Sequence, residues 1–271
     1  MKQVGCSSRR VVFVAMLMLA VAGVRVMAQA PSRTSIAELN NQVVALNQAG
    51  RYAEALPIAH RVLALAEQLR GPDHPDVATS LNNLAELYRA LGRYGDAEPL
   101  YNRALTIWEM AFGPDDIDVG TALNNLALLY KAEGRLVEAE PLYRRALAIW
   151  EKQLGADHLE VGRALSNLGE LYRAQGRYAE AEPLYRRSIE IREKALGPEH
   201  AAVATALNNL GLLKSALGRY AEAEPLLKRA LAIWESSLGL DHPYVGTAID
   251  NLAEVYRAEG RYAEAEPLYK R

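Results

Sequence analysis

Asparagine side chains recur in this sequence at a fixed spacing that could recognise a polypeptide. One asparagine returns every 42 residues in the middle of a predicted helix, where helix propensity does not explain its presence. Its amide offers a donor and an acceptor together, which matches the backbone of an extended peptide. Alternatively, the amides bond between adjacent helices and hold them together. The series is Asn41, Asn83, Asn125, Asn167, Asn209 and Asn251, preceded by Asn40, Asn82, Asn124, Ser166, Asn208 and Asp250.

Charged residues accompany the asparagines along the same predicted helices. A basic row stands six residues after the asparagine and consists of Arg89, Lys131, Arg173 and Arg257. Arg163 lies one turn before Asn167, where most copies have threonine. The same helices carry glutamates, so the alternative to a ligand-binding role is a solvated face with pairs such as Glu86–Arg89.

The sequence predicts no catalytic or metal centre and no cofactor. It contains no H-E-x-x-H, G-x-S-x-G or G-x-x-x-x-G-K motif, and its single cysteine is Cys6. Four histidines recur in the predicted loops, but one per repeat is too sparse for ligands that must converge on a metal. We therefore expect helix capping or packing from His74, His158, His200 and His242. The chain is not predicted to be an enzyme.

A 42-residue unit positions these side chains. A Gly-Arg pair, as at Gly92, recurs six times at this spacing without insertion or deletion. Before each pair, Leu81, Leu84 and Tyr88 or their counterparts fall on one face of a helix, and a second apolar stripe follows the pair. Each unit is thus predicted to be a helical hairpin that must stack on its neighbours to bury both stripes.

These motifs resemble tetratricopeptide repeats. The LNNLA, GRYxEAExLYxRAL and GPDHPDVA segments resemble the 42-residue repeats of kinesin light chains and their bacterial relatives. The resemblance implies an all-α fold, a right-handed superhelical α-solenoid, whose concave groove binds proteins; kinesin light chains bind acidic peptides with an aromatic anchor. It places the asparagines and the basic row in that groove. The implied peptide-binding residues are Asn82, Asn83, Arg89, Asn124, Asn125, Lys131, Arg163, Asn167, Arg173, Asn208, Asn209, Asn251 and Arg257.

The N-terminal residues have the layout of a secretory signal peptide. A basic start precedes the apolar run at 11–24, and Val26-Met27-Ala28 resembles a cleavage site. The run is shorter than the roughly 20 residues of a comfortable membrane span. We therefore expect cleavage after Ala28, a linker at 29–34, and a periplasmic or secreted solenoid at 35–271 with no stable membrane span. An uncleaved anchor is the alternative.

The net charge of the chain limits the classes of partner that it can bind. A net charge of −2 makes the chain a poor nucleic-acid binder. We expect the partner to be a protein or peptide.

Some copies depart from the pattern. Lys214 stands where other copies have tyrosine, and we expect its ammonium to reach water. Arg192 replaces a tryptophan that we expect to pack between repeats. The sixth unit ends about ten residues before its counterparts do. We expect this to leave part of the final hairpin exposed, and the alternative function is self-assembly through that end. The residues expected to be exposed are Leu252, Tyr256, Leu268 and Tyr269.

Overall fold

The computed structural model describes the main chain of residues 33–271 and side chains from residue 36 onward. Twelve helices and no β-strand make up this part of the chain. The helices are α1 (Arg33–Gln48), α2 (Tyr52–Arg70), α3 (Pro75–Ala90), α4 (Tyr94–Phe112), α5 (Ile117–Ala132), α6 (Leu136–Leu154), α7 (Leu159–Ala174), α8 (Tyr178–Leu196), α9 (Ala201–Ala216), α10 (Tyr220–Leu238), α11 (Pro243–Ala258) and α12 (Tyr262–Tyr269). The predicted signal peptide lies outside the described residues. Because α1 begins at Arg33, the last two residues of the expected linker are helical.

Each odd-numbered helix pairs with the next even-numbered helix, and a glycine closes the turn between them. In the second hairpin, the Gly92 N–H donates to the Arg89 carbonyl at 3.0 Å and the Arg93 N–H donates to the Tyr88 carbonyl at 2.8 Å. This pair of bonds satisfies the last carbonyls of a helix and requires a left-handed residue, which Gly92 supplies with a φ of 71°. The same turn recurs in all six described hairpins.

Side chains in the loops between hairpins cap the odd-numbered helices. The His74 ring nitrogen Nδ1 accepts a hydrogen bond from the Asp76 N–H at 3.1 Å, which satisfies one of the free N–H groups of the first turn. His158, His200 and His242 make the same contact, and Asp116 replaces histidine in this role at α5. The prediction that these histidines cap helices is therefore confirmed.

The hairpins stack into an α-solenoid with two layers. The main chains of successive odd-numbered helices approach one another from α3 to α11, whereas no even-numbered pair among the described helices approaches as extensively. An arc places its inner elements closer together than its outer ones, so the odd-numbered helices line the inner face. The layers are held by three apolar clusters along the solenoid, and Trp108, Trp150 and Trp234 are buried in two of them, as the sequence predicts.

The last hairpin is better packed than expected. Leu252 and Tyr256 are buried, so the prediction that they are exposed is wrong. The reason is that α10 covers one side of α11, while the first two turns of α12 cover another. Leu268 is half-buried and Tyr269 is 52% exposed, as expected.

Candidate peptide-binding groove

The asparagines form hydrogen bonds to one another across the inner face. In each bond, the second asparagine of one repeat donates through Nδ2 to Oδ1 of the first asparagine of the preceding repeat. The bonds join Asn125 to Asn82 at 3.0 Å, Asn167 to Asn124 at 2.8 Å, and Asn251 to Asn208 at 2.9 Å. We call this series the amide ladder. Of the two roles that the sequence allows, the geometry supplies direct contacts for holding adjacent helices together; ligand binding by these amides stays a prediction.

The amide ladder is interrupted between α7 and α9. Ser166 stands where an asparagine would accept from Asn209, and its hydroxyl contacts the Ser188 hydroxyl at 2.8 Å instead. The Ser188 hydroxyl in turn donates to the Gly162 carbonyl at 2.6 Å. The half-buried amide of Asn209 consequently has no hydrogen-bond partner among the side chains that the structure describes. Asn83 also makes no bond of the ladder type to Asn40.

Most charges of the basic row are neutralised by glutamates. Arg89 pairs with Glu86, and Arg257 pairs with its own neighbour three residues earlier, as the helix-face alternative predicts. Lys131 pairs with Glu170 of the next repeat at 2.6 Å. Arg173 is the exception, because it forms no ion pair with any carboxylate in the described residues. The groove therefore offers less free positive charge than the sequence suggests.

Glu86 shows how strongly these pairs favour the charged forms. Burial is the largest single effect and disfavours its carboxylate, but the hydrogen bonds and positive charge of Arg89, together with the Tyr101 hydroxyl, outweigh burial and leave the pKa of Glu86 below its usual value. The Tyr101 hydroxyl donates to the same carboxylate at 2.9 Å. This part of the inner face is electrostatically satisfied without a ligand.

The arginine that follows the turn glycine holds adjacent hairpins together from the third hairpin onward, a role that sequence reasoning missed. The Arg135 guanidinium lies 3.8 Å from the centre of the Tyr130 ring and pairs with Glu98 of the preceding hairpin at 2.9 Å. The Tyr130 hydroxyl donates to the same glutamate at 2.7 Å. Equivalent trios are Arg177, Tyr172 and Glu140, and Arg261, Tyr256 and Glu224. The constant spacing of 37 residues between arginine and glutamate is the signal that could have revealed this contact.

Lys214 takes part in this network, contrary to expectation. Its side chain is 1% exposed, and its ammonium pairs with Glu182 at 2.7 Å and with Glu222 at 2.9 Å. The expectation that the ammonium reaches water is wrong. Glu182 is the counterpart of the glutamate that accepts from tyrosine in other hairpins, and so the ammonium replaces a tyrosine hydroxyl as its donor.

Arg163 and Arg192 meet at the interruption of the amide ladder. Arg163 pairs with Glu160 on the exposed side of α7, and its guanidinium lies 5.3 Å from the Trp150 ring centre. Arg192 is half-buried and donates to the Ala202 carbonyl of α9 at 2.7 Å. The sequence predicted that Arg163 lies in the groove, but it did not predict that Arg192 lies beside it.

Residues 33–271 contain neither a metal-binding cluster nor a membrane-spanning helix. No group of three or more histidine, cysteine, aspartate or glutamate side chains there is arranged to hold a metal ion. None of the described helices combines the length and the apolar character needed to cross a membrane.

Known structures resemble this chain over most of its length. The crystal structure of BtubC (BKLC) from P. vanneervenii is 26% identical with a TM-score of 0.66, and the match covers 86% of this chain and 89% of that one. A Podosopora anserina structure assigned to the kinesin light chains, with nearly identical TPR-like repeats, is 28% identical with a TM-score of 0.63; the match covers 73% of this chain and 93% of that one.

A more distant neighbour shows the fold alone. PilW, described as a widely conserved type IV pilus biogenesis factor, is 17% identical with a TM-score of 0.64, and the match covers 88% of this chain and 91% of that one. No protein with a curated description matches the chain.

A family model also matches the repeats of this chain. The tetratricopeptide repeat model matches residues 35–110, 118–194, 161–233 and 202–271, which together span most of the sequence. Tetratricopeptide repeats are in general protein-interaction scaffolds without catalytic activity. The twelve helices, the turn glycines and these matches together show that the chain belongs to the tetratricopeptide repeat family.

Proposed function

We propose that the chain binds an extended segment of a partner protein along its inner face, centred where α7 and α9 meet. The observation that carries this proposal is the half-buried amide of Asn209, which has no side-chain partner beside the interrupted ladder. A peptide backbone can supply both a donor and an acceptor to this amide. Asn209 lies on α9, and Arg173 on the neighbouring helix α7 adds a cation without an ion-pair partner.

In-cell crosslinking of the tagged full chain in its source cells tests this proposal. Asn209→Ala should reduce the yield of a specific partner more than tenfold, because it removes the amide that is proposed to contact the partner backbone. Asn102→Ala is the matched control, since Asn102 is an exposed asparagine on the outer α4 helix. Its partner yield should equal that of the unaltered chain. Equal yields from both variants would contradict groove binding.

Self-assembly is a second candidate, favoured by exposed aromatic residues on the last hairpin. Tyr244 and Tyr269 are 53% and 52% exposed, and Leu268 and Ile249 line a cavity of about 450 Å³ beside them. Apolar surface of this kind commonly marks an interaction site. Sedimentation velocity should show a concentration-dependent dimer that Tyr244→Ser with Tyr269→Ser abolishes. A monomer at every concentration would exclude this candidate.

We also propose that the chain is exported and processed after Ala28. The support is the basic start, the apolar run at 11–24 and the small residues that follow it. N-terminal sequencing of the protein from its source cells should begin at Gln29. An intact Met1 in the membrane fraction would contradict processing without affecting the proposal for the groove.

A further inference from the structure

Four departures from the repeat pattern lie together in one hairpin junction. Arg163 replaces the threonine of other copies, Ser166 replaces asparagine, Ser188 replaces alanine and Arg192 replaces tryptophan. The residues replaced are seen at Thr79, Thr121 and Thr205; Asn82, Asn124 and Asn208; Ala104, Ala146 and Ala230; and Trp108, Trp150 and Trp234. These four positions are separated by up to 29 residues in the chain, but the fold places them between α7, α8 and the first turn of α9.

The buried polar side chains position the Arg192 guanidinium. Ser188 is anchored on the Gly162 carbonyl at 2.6 Å and contacts Ser166 at 2.8 Å, and Ser166 accepts a long hydrogen bond of 3.5 Å from Arg192. The second contact of Arg192 is the Ala202 carbonyl at 2.7 Å. Because a guanidinium has five N–H donors, this arrangement leaves several of them without an acceptor.

Arg192 also lacks a counter-charge. No carboxylate in the described residues lies within ion-pair distance of it, although buried charges are normally paired. Burial lowers the pKa of Arg192 from its usual value, and the neighbouring positive charge of Arg163 lowers the pKa further, while the negative charge of Glu160 opposes both only in part. An anion at this position would offset both effects.

A cavity lies beside the two guanidinium groups. Its volume is about 270 Å³, and it is lined by Leu159, Glu160, Arg163, Arg192, Leu196 and Ala202. The two arginines and one glutamate give the lining a net charge of about +1, which one monoanion balances. Two leucines supply apolar walls for a short stem. Arg163 is exposed and belongs to α7, one of the helices that line the inner face.

We propose that this two-arginine cavity binds the carboxylate of an aspartate or glutamate side chain in the partner segment. This inference rests on the proposed function of the groove and names the anchor that the groove recognises. Arginine and carboxylate form charge-assisted, often bidentate hydrogen bonds, and partial burial of the Arg192 guanidinium makes them stronger than fully exposed surface pairs. The glutamate in the lining disfavours a phosphate dianion, which would carry more negative charge than the cavity neutralises.

Side-chain and backbone NMR titrations of the full chain test the cavity directly. The probe is N-acetyl-glutamate N-methylamide, which presents one glutamate side chain between blocked peptide groups. It should cause saturable shifts of the Arg192 Nε–Hε signal and of the amides at the N-terminal turns of α7 and α9. N-acetyl-glutamine N-methylamide should bind at least tenfold more weakly. N-acetyl-alanine, which carries a terminal carboxylate, and inorganic phosphate should also bind more weakly.

Restoring the repeat pattern gives variants that are compatible with the fold. In Arg192→Trp, Gly162 faces the new indole as Gly120 faces Trp150. Arg192→Trp and Arg163→Thr should each weaken binding of the glutamate probe at least tenfold, as followed on the backbone amides. Arg186→Gln, which removes an equal charge from an exposed position on α8, should leave binding unchanged.

Several outcomes would overturn the proposal: no saturable shift with the glutamate probe, equal binding of the glutamine analogue, tighter binding of phosphate or of the terminal carboxylate, or full binding by Arg192→Trp. Crosslinking distinguishes failure of the carboxylate-anchor proposal from failure of the groove-binding proposal. A partner lost in Asn209→Ala but retained in Arg192→Trp leaves the groove proposal standing and removes only the carboxylate anchor.

Discussion

Two neighbouring junctions between hairpins of the solenoid have different side chains at equivalent positions. Where α5 and α6 meet α7, Trp150 fills the space between hairpins and Asn124 bonds to Asn167. Where α7 and α8 meet α9, Arg192 occupies the tryptophan position, and a serine pair interrupts the amide ladder. We call these the regular and the polar junction.

The difference shows how a repeat protein separates stability from recognition. Each repeat contacts only its neighbours, so one junction can change without altering the geometry of the others. In the regular junction, the polar groups of the ladder are satisfied by the protein. In the polar junction, Asn209 and Arg192 retain unused donors that a ligand can engage. Repetition supplies the scaffold, and local departure from it supplies the candidate site.

The largest expected effect on stability comes from truncating Trp150, and the comparison is with truncation of Arg192, which occupies the same position in the polar junction. Trp150 is 0% exposed, so Trp150→Ala should lower the free energy of unfolding by about 3–5 kcal/mol. Arg192→Ala should cost about 1 kcal/mol, because it removes an unpaired charge together with its hydrogen bonds. Urea unfolding followed by circular dichroism measures both. Equal losses would contradict the distinction between the two junctions.

A second comparison concerns the amide ladder. Asn124 is 0% exposed and lies between Asn125 and Asn167, so Asn124→Ala should destabilise the chain by about 1–3 kcal/mol. Asn209→Ala should change the free energy of unfolding by less than about 0.5 kcal/mol, because no bond is lost. If Asn209→Ala unfolds as readily as Asn124→Ala, its amide has a structural partner and the groove proposal loses its main support.

Acid unfolding probes the arginine–tyrosine–glutamate contacts. Arg261, Lys228 and Tyr256 lower the pKa of Glu224 from 4.5 to about 2. Because the pKa is lower in the folded state, the carboxylate stabilises the fold above pH 4.5, and this contribution disappears as the pH falls from 4.5 to about 2. Glu224→Gln should therefore cost about 1 kcal/mol at neutral pH, after allowance for solvent screening.

The measurement for Glu224 is urea unfolding of both chains at a series of pH values. The difference between them should vanish near pH 2. A difference that does not change with pH would show that the contact depends on packing rather than on charge.

The smallest expected effect is a gain. Ser166→Asn combined with Ser188→Ala restores the asparagine and alanine of the regular junction and offers Asn209 an acceptor. Stability should rise by about 0.5–1.5 kcal/mol, the contribution of one hydrogen bond. In the same variant, partner binding should weaken because the amide is engaged. A stabilised chain with unchanged partner yield would show that Asn209 takes no part in recognition.

The sequence by itself determined the architecture. A strict 42-residue period, apolar stripes at helical spacing and a glycine at each turn leave only stacked helical hairpins as a way to bury both stripes. The capping histidines and the buried tryptophans followed from the same local patterns. These predictions succeeded because each depends on contacts within one hairpin or between adjacent ones.

Only the tertiary structure decided which polar groups are engaged. Sequence places Asn125 and Asn209 at equivalent positions, yet Asn125 has its ladder partner whereas Asn209 has none, because Ser166 stands at the acceptor position 43 residues earlier and its hydroxyl contacts Ser188 instead. Likewise, Lys214 is neutralised by two glutamates from other segments, while Arg192 has none. Hydrogen bonds and ion pairs act over a few ångströms, so their partners are set by the stacking of hairpins, which no single repeat encodes.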